Sequence, residues 1–139
     1  MNWVTYSLIA ILFLGFSDIF RKLASSISNS QFANLIFQCG AFVTSLLIFL
    51  TVDKTIINNP KSVIYAFIGG ALIAVATLFS IKALATGQPV SLVMPTLRAG
   101  GVALVAVLGL LILRDKMTVQ TVLGLIFSSI GIYLLFQNK

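Results

Sequence analysis

The chain has 139 residues, of which 59% are hydrophobic and 9% charged, with a formal net charge of +6 and a mean hydropathy of +1.10. A soluble domain is about half apolar and about a quarter charged, and a small one keeps much of its surface in water. Composition therefore excludes a soluble fold and makes lipid the solvent. The cations flank apolar runs and do not interleave with aromatics, so they read as membrane anchors and not as a nucleic-acid footprint.

A membrane span needs about 20 mostly apolar residues. Five runs qualify: residues 3–24, 31–51, 62–84, 90–113 and 118–136. The first carries Asp18, Arg21 and Lys22 in its second half. Its alternative is a shorter helix ending near Phe16, followed by an interfacial segment. Only Met1 and Asn2 precede Trp3, and the first cations come after the apolar run. That is not the order of a signal peptide, so the first span is expected to stay in the mature protein. The connections 25–30, 52–61, 85–89 and 114–116 are short and polar, which favours antiparallel neighbours. Turn and cap signals mark them: Asn58-Asn59-Pro60, Gly87 before Pro89, and Asp115 ahead of the last helix. The expectation is an all-α membrane protein, multi-pass, with one five-helix transmembrane domain over residues 1–139.

With five spans, Arg21, Lys22, Lys82 and Lys139 fall on one side, and Lys54, Lys61, Arg114 and Lys116 on the other. Orientation normally follows the Lys/Arg excess in short cytoplasmic loops. An even split leaves two readings: a chain that inserts both ways, or one orientation with a charge misassigned.

Arg98 lies eight residues into the fourth span, near the bilayer midplane. A cation there is costly unless it faces protein, water or a counter-charge. Pro95 removes a backbone bond beside it, Thr96 adds a hydroxyl, and Gly100-Gly101 permits close approach. One reading is a positive group facing a substrate pathway, suited to carboxylate or phosphate. The other is a structural ion pair with Asp18. Asp18 is the one carboxylate within a span, and a candidate proton or cation site. It also sits three residues before Arg21 and four before Lys22, the spacing of a local helix ion pair, and that reading is favoured. Gln38, Thr44, Thr77 and Ser80 are polar groups within spans; together they could line a polar cavity, singly they bond helix backbones. Lys82 is expected to snorkel. Cys39, the single cysteine, is expected as a small buried packing residue. Gly124, Ser128 and Gly131 share one face of the last span and point to a subunit contact, or to packing inside one subunit.

Residues 79–136 resemble the end of an EamA-type domain of the drug/metabolite transporter superfamily. The likeness rests on Ala83-Leu84, Gly87, Val90-Ser91-Leu92, Pro95, Leu110-Leu111-Ile112-Leu113, Asp115, Thr118, Gly124 and Gly131-Ile132. Gly15 fits the first helix more loosely. The Gly124–Gly131 spacing also resembles the dimer helix of small multidrug-resistance proteins, a shorter branch. Two departures stand out. Asp115 replaces the usual Glu, and no glutamate occupies the first helix, where Asp18 lies deeper than such a group should. Arg98 is not a general feature of the pattern.

The resemblance implies one half of a ten-helix inverted-repeat transporter, paired with an inverted copy of itself. The function expected is secondary transport of a small polar, anionic or zwitterionic metabolite by alternating access, in a prokaryotic cell membrane. The alternatives are a small subunit or scaffold of a larger complex, including one that moves lipid-linked sugars, and an anion channel. No nucleophile, phosphate loop or metal-ligand cluster is visible, so no enzyme activity, cofactor or metal is expected.

Overall fold

A computed structural model describes residues 3–51, 59–113 and 118–137. Among them the chain is all-helical, with no strand. The helices are α1 (Trp3–Ile27), α2 (Ser30–Thr51), α3 (Pro60–Ala85), α4 (Val90–Leu108) and α5 (Val119–Gln137), and a π-helical segment, Gly109–Leu113, prolongs α4. Four stretches are long and apolar enough to cross a membrane: Val4–Ile27, Ser30–Thr51, Pro60–Ala85 and Val90–Ile112. Among the described residues of α5 the apolar stretch is Val122–Gly131. A multi-pass integral membrane protein is compatible with these four helices.

The boundaries follow from local chemistry. α1 runs unbroken through its charged half and three residues beyond residue 24. Ser25 and Ser26 donate to the carbonyls of Lys22 (2.8 Å) and Leu23 (2.7 Å), so the serines extend the helix instead of opening the turn. Asn29 then caps α2, its Oδ1 accepting from the Gln31 N–H at 2.9 Å. Asn59 does the same for α3, accepting from the Lys61 N–H at 3.1 Å, with Pro60 in the first turn. α3 ends where Gly87 takes φ +89, a left-handed conformation that glycine adopts without strain. Lys54, Asp115, Arg114, Lys116 and Lys139 lie outside the described residues, as does Asn58.

The chain divides into two compact units, Met1–Gly87 and Gln88–Lys139. In the first, α1, α2 and α3 pack pairwise. Its buried residues are Asp18 and Ser25 of α1, Ala33 of α2, and Thr77, Ile81 and Leu84 of α3. All belong to one end of the unit, where the C-terminal halves of α1 and α3 meet the N-terminal half of α2. Every described side chain in 4–16, 39–51 and 59–73 is exposed. In the second unit α5 packs on α4. Tyr65, Phe67, Phe79, Phe127 and Tyr133 are among many large apolar side chains left outside. In water such a surface would be an aggregation liability; in a bilayer it is the ordinary contact with acyl chains.

α3 also has the length of a bilayer crossing. Lys61 and Lys82 bracket residues 62–81, which carry no charge. At 1.5 Å per residue those twenty residues span about 30 Å, the thickness of the hydrocarbon core. In a bilayer that α3 spans, the junction around Ile81 and Leu84 would lie at one hydrocarbon–headgroup boundary.

Candidate functional site

The three-helix junction carries most of the polar groups that the sequence singles out within the first unit. Asp18 is buried, and the Arg21 Nη1 donates to its Oδ1 at 3.2 Å. This is the local pair expected from the spacing. Both side chains are withdrawn from contact with solvent, at 13% and 10% exposure for Arg21 and Asp18. The Arg21 guanidinium also lies over the Phe37 ring, 4.5 Å from its centroid. That contact ties α1 to α2 and spreads the cation over a π face.

Lys22 points the other way. Its Nζ donates to the Leu84 carbonyl at 2.9 Å. That oxygen belongs to the last turn of α3, where carbonyls lack helical partners and the helix dipole is negative. The Gly87 N–H reaches the same oxygen at 3.3 Å. Lys22 thus acts as a charged C-cap supplied by another helix. Lys82 lies two residues before, its Nζ 5.6 Å from the Phe79 ring, so Arg21, Lys22 and Lys82 share one end of the unit. Lys61 stands at the opposite end of α3.

The hydroxyls are bound locally. Thr77, buried, donates to the Ile73 carbonyl at 2.7 Å, and Ser80 to that of Ala76 at 2.8 Å. Thr44 donates to Gly40 at 2.9 Å. These bonds satisfy the groups without neighbours and leave oxygen lone pairs to a ligand. The amides differ. Gln38 Nε2 and Asn34 Oδ1 are buried and make no hydrogen bond in the structure. They lie four residues apart on α2, hence on one face. Asn34 is absent from the expected set, although its spacing from Gln38 was the available signal. Cys39 corrects an expectation: it is exposed, because the C-terminal part of α2 runs beyond the junction.

Two recesses open between α1 and α2. One, about 360 Å³, is lined by Phe20, Arg21, Ala24, Phe32, Ile36 and Phe37 among others. The second, about 600 Å³, lies further along α2 and is lined by Ile36 and Phe37 together with the small and hydroxyl-bearing Ser17, Gly40, Ala41, Thr44 and Ser45.

The second unit holds the other expected residues. Pro95 interrupts the hydrogen-bond ladder inside α4. Thr96 donates to the Leu92 carbonyl at 2.8 Å. Arg98 is exposed, as are Gly100 and Gly101. Between Val90 and Ile112 the apolar stretch is 23 residues, about 34 Å, so the Arg98 backbone lies about 12 Å from its start and about 5 Å from its centre. On α5, Gly124, Ser128 and Gly131 are exposed. Ser128 donates to the Gly124 carbonyl at 2.9 Å, and a Cβ added at Gly124 or Gly131 would meet nothing within 4 Å. The face is open to another helix.

Among known proteins, the chain is similar to an uncharacterised protein of the archaeon Methanocaldococcus jannaschii, with 28% identity over 132 residues. The likeness covers 95% of this chain and 94% of that protein, so it runs through both units. No family model matches the chain, and no solved structure matches it.

Proposed function

We propose that this chain is a secondary transporter that moves a small polar, anionic or zwitterionic metabolite by alternating access, as an antiparallel homodimer. On this reading α5 is a fifth span, and the chain is an EamA-like half that an inverted second copy completes. The observation that carries it is Arg98, exposed near the centre of a membrane-length helix that Pro95 interrupts. A guanidinium at that depth is favoured by protein, water or a counter-charge beside it, and a bound anion is such a counter-charge. In an inverted pair, two copies of Arg98 approach the midplane from opposite faces and form one positive zone that each side reaches in turn. The fork of Arg matches carboxylate or phosphate. The open Gly124/Ser128/Gly131 face supplies the contact between copies.

A thermal-shift screen of the purified protein against simple carboxylates, phosphate esters and amino acids tests the reading, because a specific binder raises apparent stability. Binders then enter a counterflow assay in liposomes holding this protein alone. Saturable uptake stimulated by internal substrate is expected. Non-saturating conductance would replace the carrier with an anion channel. Absence of binding and flux would replace it with a subunit or scaffold role, such as one serving lipid-linked sugar movement.

A further inference from the structure

We propose that the recess between α1 and α2 beside Arg21 is a binding site for one anionic lipid of the surrounding bilayer. The lipid phosphate would lie against the Arg21 guanidinium, and part of one acyl chain would lie along Phe20, Phe32 and Ile36.

Depth is the first argument. Ile81 lines this recess and is buried, and it immediately precedes Lys82, which marks the hydrocarbon boundary on α3. The recess therefore straddles the level where phosphates give way to acyl chains. Its lining divides accordingly. Ser28, beyond the last residue of α1, is a polar lining group at the outer end. Phe20 and Ala24 lie deeper along the same helix.

Chemistry is the second. The volume of about 360 Å³ falls in the range of small-ligand pockets, about 300–1,000 Å³. A hydrated inorganic ion gains nothing from walls of phenylalanine and alanine, whereas an acyl chain does. Phe20, Phe32 and Ile36 are themselves exposed, so the recess opens sideways toward lipid.

Charge is the third. Arg21, Lys22 and Lys82 stand against one carboxylate, Asp18, which leaves this end of the unit with a net positive charge. A phosphodiester monoanion complements that charge; a zwitterionic headgroup brings a choline or ethanolamine cation with it. A guanidinium presents its donors in a planar fork suited to phosphate. The proposal does not depend on transport, only on the helices lying in a membrane.

The test uses full-length protein in a neutral detergent, with phosphatidylglycerol and phosphatidylcholine of identical chains as probes and native mass spectrometry and melting temperature as readouts. Phosphatidylglycerol is expected to stay bound and raise the melting temperature; phosphatidylcholine is expected to do neither. Glycerol 3-phosphate, the headgroup chemistry without chains, is expected to give no shift. Ala24→Leu, which fills the recess without touching the Arg21–Asp18 pair, should abolish the phosphatidylglycerol shift. Arg21→Lys keeps the charge but loses the fork, and should weaken that lipid about tenfold or more. Equal retention of both lipids, an unchanged phosphatidylglycerol shift in Ala24→Leu, or an equal response to glycerol 3-phosphate would each overturn the proposal.

Discussion

Replacing Asp18 by Leu is expected to destabilise the protein far more than replacing Asp18 and Arg21 together. The geometry decides the size of the effect. An exposed ion pair at this i,i+3 spacing contributes only about 0.3–0.5 kcal/mol. Here the two side chains are about nine-tenths enclosed, and removing one partner leaves a charge buried without its counter-ion. Such a loss costs about 3–5 kcal/mol, a shift of roughly a hundred- to several-thousand-fold in the folding equilibrium. The Phe37 ring retains Arg21 in the single variant and contributes about 0.5–2 kcal/mol, so the lower half of that range is the expectation. In the Asp18→Leu/Arg21→Leu variant no charge is left behind and only the Phe37 contact is lost with the pair, so the cost should fall to about 2 kcal/mol or less. Unfolding by sodium dodecyl sulfate in mixed micelles, followed by far-UV circular dichroism, measures all members of the cycle. Single changes that each cost under 1 kcal/mol and simply add would show that water reaches the pair, and would refute the reasoning. A double variant that is stable yet inactive in counterflow would assign Asp18 or Arg21 to the transport path as well.

Lys22→Met should lose the bond to the Leu84 carbonyl and destabilise by about 1.5–3 kcal/mol, the range for a hydrogen bond from a charged donor; amide exchange in the last turn of α3 should rise with it. Arg98→Lys should leave melting unchanged while weakening uptake of the anionic substrate, and Arg98→Ala should abolish anion selectivity; full selectivity in the alanine variant would remove Arg98 from the substrate path. Gly131→Leu should weaken dimerisation in a dilution series more than it alters the monomer, since a Cβ there meets nothing within 4 Å in its own chain. Reporters for each compartment fused to the C-terminus should both be active, and one added Lys on either side should silence one of them; activity from one side alone, unmoved by the added charge, would exclude dual orientation.

Helix positions were legible because apolar runs and caps are local signals. The stretches 31–51 and 62–84 differ from α2 and α3 by two residues or fewer at each end, and Asn59-Pro60 and Gly87 act where their chemistry places them. α1 extends three residues beyond the stretch 3–24, because serines in a polar stretch look like a turn, while here they bond back to the helix. At Leu108 the change to π geometry leaves no mark on the apolar pattern of 90–113. Within the junction, the Asp18–Arg21 pair could be read from its spacing. Lys22 on Leu84 is a contact across 62 positions, and Arg21 on Phe37 depends on how α1 meets α2; neither leaves a periodic trace. The enclosure of Asn34 Oδ1 and Gln38 Nε2 is equally a property of packing, and their shared face says only that they go together.

In a bilayer, bracketing by Lys61 and Lys82 would make α3 a gauge of membrane thickness. A bilayer thinner than the stretch between them would leave apolar residues in the headgroup layer, and tilting α3 would shorten the projected distance between its anchors. Lys22 grips the final turn of α3, so α1 would have to follow that tilt or release its bond. A change in lipid chain length would thus act as a lever on the angle between the first and third helices, pivoting about the Lys22–Leu84 clasp.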